Sequence, residues 1–157
     1  MGGRGKELSV SKNRRFKHSG TSFQVEIAGQ SIVVRDIESK DGGSGAPLRA
    51  YSSDGYRVRN RENQVSQIIL FNPQTEDEHG FTSRTRKVSY EWDGLSGKKD
   101  DCPAKTVHKH IWNGDDKQKA HCALTRAEYD KLKKNAGFPD NVQYKVEDGK
   151  GGFTYER

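Results

Sequence analysis

Short apolar segments separated by polar, glycine-rich stretches are the feature that most limits what this chain can fold into. Residues 23 to 27 alternate apolar and polar side chains, Gly29 and Gln30 supply a turn, and apolar residues return from 32 to 37. This period-two pattern predicts a β-hairpin. Apolar residues make up only 30% of the chain against 32% charged residues, with 17 glycines. We therefore expect a small β-rich core joined by long loops.

Further segments have the composition or the periodicity of strands. QVSQIILF, residues 64 to 71, is the most apolar of them. SRTRKVSYEW alternates, which predicts a strand with Lys87 and Glu91 on one face and Arg86 and Tyr90 on the other. TVHKHIW is predicted to be a short strand, and NVQYKVED and GGFTYER are predicted to be two final edge strands.

One helix is predicted with its start and its end. Thr125 and Glu128 have the S/T-x-x-E spacing of a capping box, in which each side chain satisfies a backbone donor at the helix start. Gly137 is a typical residue just beyond a helix. The predicted fold is therefore α+β: a twisted, mostly antiparallel sheet with one principal helix at about residues 125 to 136.

The positive charge of the chain is concentrated at its N-terminus. Residues 1 to 20 carry six basic side chains against one acidic, a net charge of +5, whereas residues 21 to 157 carry 22 basic and 21 acidic side chains. We therefore expect a flexible basic tail over residues 1 to 20 and a single α+β domain over residues 21 to 157. Such a tail typically contacts phosphates or an acidic protein surface, or is simply a solvated end.

Neither a membrane span nor a disulfide framework is predicted. No segment approaches the roughly 18 consecutive apolar residues of a transmembrane helix, and the first residues lack the apolar stretch of a signal peptide. Cys102 and Cys122 could form one bridge, but two cysteines are not a framework. The expected setting is the reducing cytoplasm, with no membrane partner.

Three of the five histidines lie between His108 and His121. If TVHKHIW is a strand, His108 and His110 share a face because side chains alternate along a strand. Two neighbouring imidazoles are poor core material, so we expect this face to be open to a cleft. Lys109 and Ile111 would then lie on the opposite face.

A metal site and a purely structural role are two interpretations of this cluster. His-x-His is a usable spacing for two zinc ligands, and Cys102 and Cys122 could add sulfur donors. No standard zinc-finger spacing is present, so the expectation is no cofactor, with zinc as the alternative. In the structural interpretation the histidines occupy strand ends and loops, and Trp112 lies in the core.

Acid–base chemistry is the third interpretation. Histidine titrates near neutrality, so His108, His110 or His121 could deprotonate a 2′-hydroxyl of RNA and protonate the leaving oxygen. Lys109 or Arg126 could then stabilise the charge that develops on the phosphorus. These five residues are the candidate catalytic set.

Cations at alternate strand positions can line a groove with phosphate contacts, although such residues are also common on the solvated face of a sheet. Trp112 could stack on a base, as aromatic residues do in single-strand binders. The candidate nucleic-acid-binding residues are Arg14, Arg15, Lys17, Arg57, Arg59, Arg61, Arg84, Arg86, Lys87 and Trp112.

The opening MGGRG resembles the start of small proteins and head-protein tails encoded by phages and integrated elements of bacteria. The order of QIILFN, RTRKVSYEW, VHKHIW and LTRAEY, across residues 64 to 136, is similar to that in several such proteins. Some of these phage-borne domains resemble the barnase–EndoU–colicin–RelE group of metal-independent ribonucleases. The resemblance implies a phage protein directed at nucleic acid, located in the bacterial host's cytoplasm or associated with the virion. It places His108 and His110 at the matching histidine-rich position.

The leading functional expectation is a phage- or mobile-element-encoded protein that acts on nucleic acid, most concretely a small toxin-type endoribonuclease with RNA as its partner. Whether it is an enzyme is left open. The alternative is a non-enzymatic binder, such as an inhibitor of host defence or a virion component, with a host or cognate protein as partner. A zinc-stabilised binding module is third.

Overall fold

The computed structural model describes residues 16–27, 30–39, 49–50, 54–60, 62–73, 75–76, 78–80, 82–92, 102–113, 116–121 and 123–157. Twelve strands and one helix follow one another in this part of the chain. They are β1 (Phe16–Ile27), β2 (Gln30–Ser39), β3 (Arg49–Ala50), β4 (Gly55–Arg59), β5 (Val65–Phe71), β6 (Thr75–Glu76), β7 (Thr82–Glu91), β8 (Thr106–Asn113), β9 (Asp116–His121), β10 (Ala123–Leu124), α1 (Arg126–Asn135), β11 (Gln143–Glu147) and β12 (Phe153–Glu156).

The strands form one sheet in the order β1-β2-β4-β5-β7-β8-β11-β10. β12 adds to β11, β9 adds to β8, and the short strands β3 and β6 both pair with β7. Parallel pairing joins β2 to β4, β8 to β11 and β10 to β11. The predicted α+β class is confirmed, and the sheet is mixed rather than purely antiparallel.

Two differences from the sequence prediction concern the ends of the sheet. β11 is not an edge strand, because it pairs with β8, β10 and β12. β1 begins at Phe16, so residues 16 to 20, assigned to the tail from charge alone, lie in the first strand. The predicted hairpin is confirmed as the antiparallel pair of β1 and β2.

β5 is the strand around which the core forms, and every one of its residues is buried. Its consecutive residues Ile68 and Ile69 belong to two separate apolar clusters. Because neighbouring side chains point to opposite faces of a sheet, the two clusters lie on opposite sides of β5. The sheet is therefore covered on both faces near its centre.

The larger cluster packs the sheet against α1. Leu132 of the helix is buried together with strand residues such as Tyr90 and Tyr144, and burying a leucine side chain stabilises a fold by about 1.5–3 kcal/mol. The predicted capping box is confirmed at Thr125 and Glu128. The helix ends where the sequence predicts, with Gly137 in the left-handed region at φ 77°.

A register shift in β7 changes one predicted face. Leu70 pairs with Val88, but the next residue, Phe71, pairs with Arg86. The irregularity places Arg86 on the Phe71 side of the sheet, where its guanidinium carbon lies 4.3 Å from the centre of the Trp112 ring. The strict alternation that put Arg86 on the same face as Tyr90 is therefore wrong at this residue. It is also wrong at Lys87, which lines a cleft together with Tyr90 instead of sharing the face of Glu91.

Candidate metal centre

The pairing of β7 with β8 brings one carboxylate and two imidazoles together. Glu91 lies opposite His108, and Ser89 lies opposite His110. Since residues two apart on a strand share a face, all four side chains lie on the same side of the sheet. The alternation of both strands was predicted from sequence, but the register that matches Glu91 with the histidines was not.

Glu91, His108 and His110, here called the Glu–His cluster, converge on a single oxygen. Glu91 Oε1 lies 3.2 Å from His108 Nε2 and 3.0 Å from His110 Nε2. The His110 contact does not have the alignment of a hydrogen bond. The two rings are nearly perpendicular, at 86°, with centroids 5.1 Å apart. One ligand atom from each residue lies within 4.8 Å of the others.

The cluster is buried, which the sequence did not predict. The exposed fraction is 2% for His108 and 1% for His110, and 16% for the Glu91 side chain. The predicted opening of the histidine face to a cleft is therefore wrong. Ile111, expected on the covered face, is 44% exposed. Strand periodicity shows which side chains share a face, but the packing of other elements decides which face is covered.

Polar neighbours orient the cluster. Gln67, the cross-strand partner of Glu91 on β5, donates a hydrogen bond from Nε2 to Glu91 Oε2 at 2.8 Å. His108 Nδ1 lies 3.3 Å from the backbone oxygen of Thr106. If Nδ1 donates to that oxygen, the His108 Nε2 lone pair points at the Glu91 carboxylate. Two electron-rich atoms at this distance need a proton or a cation between them.

Glu91 is ionised at neutral pH. Burial by itself would raise the pKa of Glu91, but interactions with the imidazoles of His108 and His110 outweigh it and lower the pKa well below its usual range. An ionised carboxylate beside two nitrogens is a donor set suited to a divalent cation.

The cluster also has the spacing of metal ligands. With bonds of about 2.0–2.1 Å, neighbouring ligand atoms are about 3.4 Å apart in a tetrahedral site and about 2.9 Å apart in an octahedral one. The two nitrogen–oxygen separations, 3.0 and 3.2 Å, lie between these values, and the two nitrogens lie within 4.8 Å of each other. Two imidazole nitrogens and one carboxylate oxygen occur both in catalytic zinc sites and in mononuclear iron sites.

Sulfur ligands are not part of this arrangement. Cys102 is 1% exposed and disulfide-bonded, so in this form it offers no thiolate. Cys122 lies outside the described residues. Glu91 is therefore the third candidate ligand, a role for which the sequence had suggested Cys102 or Cys122. The only feature of the sequence that pointed to Glu91 was its place in the alternating pattern of SRTRKVSYEW.

Lys109 and Arg126, two of the candidate catalytic residues, do not lie beside the histidine pair. Lys109 lies on the opposite face of β8 from the histidines, with Nζ 3.0 Å from each carboxylate oxygen of Glu128. Arg126 is on the helix surface and forms a 2.7 Å ion pair with Glu156. The backbone of His121 pairs with Lys109, and its side chain lies outside the described residues.

Among the described residues, three of the candidate phosphate-binding arginines already have acidic partners within the protein. Arg57 makes two hydrogen bonds to Asp36, at 2.6 and 2.9 Å, and Arg59 lies 3.6 Å from the same carboxylate. Arg84 forms an ion pair with Asp54. Arginines held in this way are less available to an external phosphate.

The remaining candidates divide into three groups. Arg86 is buried, and Trp112, on which it stacks, donates a hydrogen bond to Ser89 Oγ at 3.0 Å. Lys87 is exposed. Outside the described residues or side chains are Arg14, Arg15, Lys17 and Arg61.

A cleft of about 290 Å³ lies on the opposite face of β7 and β8. Tyr90 donates a hydrogen bond to Glu128 Oε2 at 2.7 Å, so the helix cap also closes one side of the cleft. Lys87 and Lys109 were both predicted as functional residues, but their common location in one cleft was not predicted. The cleft is lined by Ile32, Asp54, Leu70, Phe71, Lys87, Val88, Tyr90, Lys109, Ile111 and Glu128.

No protein-family profile, curated protein or solved structure matches this chain. Within the described part of the chain, no helix is long and apolar enough to cross a membrane.

Proposed function

We propose that this chain is a metal-binding protein whose Glu–His cluster holds one divalent transition-metal ion. The observation that carries the proposal is the convergence of both histidine Nε2 atoms on one oxygen of Glu91, at 3.2 and 3.0 Å. A cation at this point would satisfy three electron-rich atoms at once. It would also cross-link β7 to β8.

The donor types favour zinc or a similar ion. Imidazole suits zinc, copper, iron and nickel, whereas magnesium and calcium prefer oxygen ligands. Three protein ligands leave at least one coordination position for water. Because the histidines are almost fully buried, the first role of such an ion would be to stabilise the fold.

Gln67 would offer a hydrogen-bond acceptor to a water molecule on such an ion. Its Nε2 orients Glu91, and among the described residues its Oε1 is a buried acceptor with no hydrogen-bond partner. Buried acceptors are rarely left unsatisfied. A metal-bound water is a strong donor, and Gln67 Oε1 would accept its hydrogen bond.

The test is metal binding by purified protein. After chelator treatment and dialysis, zinc should rebind at about one equivalent in isothermal titration calorimetry and raise the melting temperature. Saturation to 100 times Kd stabilises a native state by about 2.7 kcal/mol. Glu91→Gln keeps the side-chain size but removes the anionic ligand, so its affinity should fall by more than the roughly 10–100-fold expected from loss of an outer-sphere partner. Gln67→Leu should show that smaller loss.

His79→Ala is the matched control, because the His79 side chain is 70% exposed and is not part of the Glu–His cluster. It should bind zinc as the unmodified protein does. Failure of zinc, iron(II), manganese and nickel to bind stoichiometrically would contradict the proposal. So would equal affinity in the Glu91→Gln and His79→Ala proteins.

We propose nucleic-acid binding as the second candidate function, with RNA as the partner and cleavage as an added possibility. The exposed Lys87 and the net charge of +5 in residues 1 to 20 support it. Replacing Arg14 and Arg15 with Gln should weaken binding of single-stranded RNA and reduce the slope of log affinity against log salt by about 1–2. RNA that binds equally well to both proteins at low salt would argue for a protein partner instead.

A further inference from the structure

We infer that the cleft on the α1 side of β7 and β8 binds a small amphipathic anion, which has an apolar or aromatic body and one phosphate or carboxylate group. This site is independent of the Glu–His cluster. It lies on the opposite face of the same strands and shares no residue with that cluster.

The two carboxylates of the cleft are already satisfied. Glu128 accepts hydrogen bonds from Lys109, from the Tyr90 hydroxyl and from the backbone nitrogen of Thr125. Asp54 accepts from Arg84 and from the backbone nitrogen of Val33. Neither carboxylate therefore needs a cation from a ligand.

Both carboxylates stay ionised at neutral pH. Burial by itself would raise the pKa of Asp54 and of Glu128, but their hydrogen bonds and neighbouring cations outweigh it and lower both pKa values. The Tyr90 hydroxyl donates its hydrogen bond to Glu128 Oε2 at 2.7 Å.

Lys87 gives the cleft one positive charge more than its carboxylates balance. The lysines and the arginine at the site, Lys87, Lys109 and Arg84, exceed the two carboxylates by one positive charge. Lys87 is exposed, and no carboxylate among the described residues pairs with it. An anionic group on a ligand would supply the missing partner.

The apolar lining of the cleft favours a ligand with an apolar or aromatic portion. Ile111 is 44% exposed although it lies in β8, in the interior of the sheet. Ile32 and Val88 are only partly buried beside it. Ligand sites are typically apolar concavities with a few placed polar groups. The volume of about 290 Å³ is at the small end of that class, so the ligand is of mononucleotide or aromatic-acid size.

The experiment uses 8-anilinonaphthalene-1-sulfonate, a fluorescent amphipathic anion, as its probe. Its fluorescence should rise on binding to the full chain, and Lys87→Gln should weaken that binding by about tenfold, which corresponds to about 1.4 kcal/mol, because the sulfonate loses its cationic partner. Ile111→Ser should also weaken it. Lys150→Gln, on the exposed turn between β11 and β12, is the matched control and should bind the dye normally.

Competition identifies the anionic group. Adenosine 5′-monophosphate should displace the dye if the natural ligand carries a phosphate, with adenosine as its uncharged control, and 2-naphthoate should do so if the ligand is a carboxylate. Displacement by neither at millimolar concentration would overturn the inference. So would equal dye binding by the Lys87→Gln and Lys150→Gln proteins.

Glu91→Gln separates the two sites. Dye binding should survive this change because Glu91 does not line the cleft. The cleft inference and the metal proposal can therefore fail independently.

Discussion

At the scale of single residues, burial decides what the histidines can do. His108 and His110 are 2% and 1% exposed, and both Nε2 atoms are directed at Glu91. A phosphate of RNA would have to displace that carboxylate to reach them. Their location favours an ion, which is small enough to enter, over direct contact with a polymer.

Replacing His110 with alanine should destabilise the protein more than replacing Ile111. This is the reverse of what an open histidine face would predict. His110→Ala leaves a cavity and removes a neighbour from the partly buried Glu91 carboxylate, and core changes of this kind typically cost about 1–3 kcal/mol. Ile111→Ala should cost less than about 1 kcal/mol, because Ile111 is already 44% exposed to water. Urea denaturation of both proteins, with and without zinc, measures the difference. A larger cost at Ile111 than at His110 would contradict it.

The acid dependence of stability should reveal the role of Glu128. Its pKa is lowered in the folded protein from an ordinary value of 4.5, so its contribution is fully present above pH 4.5 and is lost as the pH falls through the lowered value. Glu128→Gln should therefore be less stable than the unmodified protein at pH 7, and the gap should narrow at pH 3. Glu147→Gln, on an exposed position of β11, serves as control. A gap that widens in acid would show that the charge of Glu128 is not stabilising.

At the scale of elements, Glu128 joins the helix to the sheet. Its backbone and side chain complete the capping box with Thr125, while its carboxylate holds Tyr90 of β7 and Lys109 of β8. The same side chain therefore sets the start of α1 and the position of the helix over the strands. The capping role is readable from four residues of sequence, and the second role depends on β7 and β8 lying side by side.

The contact between β4 and β5 depends on a missing side chain. A Cβ atom at Gly55 would lie 2.6 Å from the backbone oxygen of Ile69 and 3.1 Å from Leu70 Cδ2. Gly55→Ala must therefore move one strand against the other, and overpacking of this kind costs about 1–3 kcal/mol. Thermal unfolding should show the loss. Glu62→Ala, on an exposed turn between the same strands, should stay within about 0.5 kcal/mol of the unmodified protein.

At the scale of the whole molecule, one pair of strands carries both candidate sites. β7 and β8 present the Glu–His cluster on one face and the cleft on the other. Successive residues of a strand point to opposite faces. His108 and His110 therefore belong to the Glu–His cluster, whereas Lys109 between them lines the cleft. Substitutions in these strands will therefore report on one site without removing residues of the other.

The disulfide at Cys102 should contribute to stability. A natural disulfide typically stabilises a small protein by about 2–4 kcal/mol. Reduction should therefore lower the melting temperature by several degrees. A phosphine is the suitable reductant, because a dithiol would also chelate a bound metal ion. The unreduced protein should show no free thiol when unfolded in guanidinium. A melting temperature that is indifferent to reduction would contradict this.

The sequence by itself determined the local structure. Thr125, Glu128 and Gly137 carry their capping chemistry in a short window, and the alternation in residues 23 to 27 and 106 to 112 gives strands whatever surrounds them. These interactions span a few residues, so their physical causes are visible in the order of the chain. The helix, the hairpin and the histidine strand were predicted for this reason.

Only the tertiary structure decided which faces are covered and which side chains meet. The pairing of Glu91 with His108, the shift at Arg86 and the exposure of Ile111 depend on strands that are distant in sequence. A one-residue change of register moves every side chain to the other face, and periodicity alone cannot choose between the two. The histidine pair was therefore found from the sequence, whereas its carboxylate partner, its burial and the cleft behind it required the packed sheet.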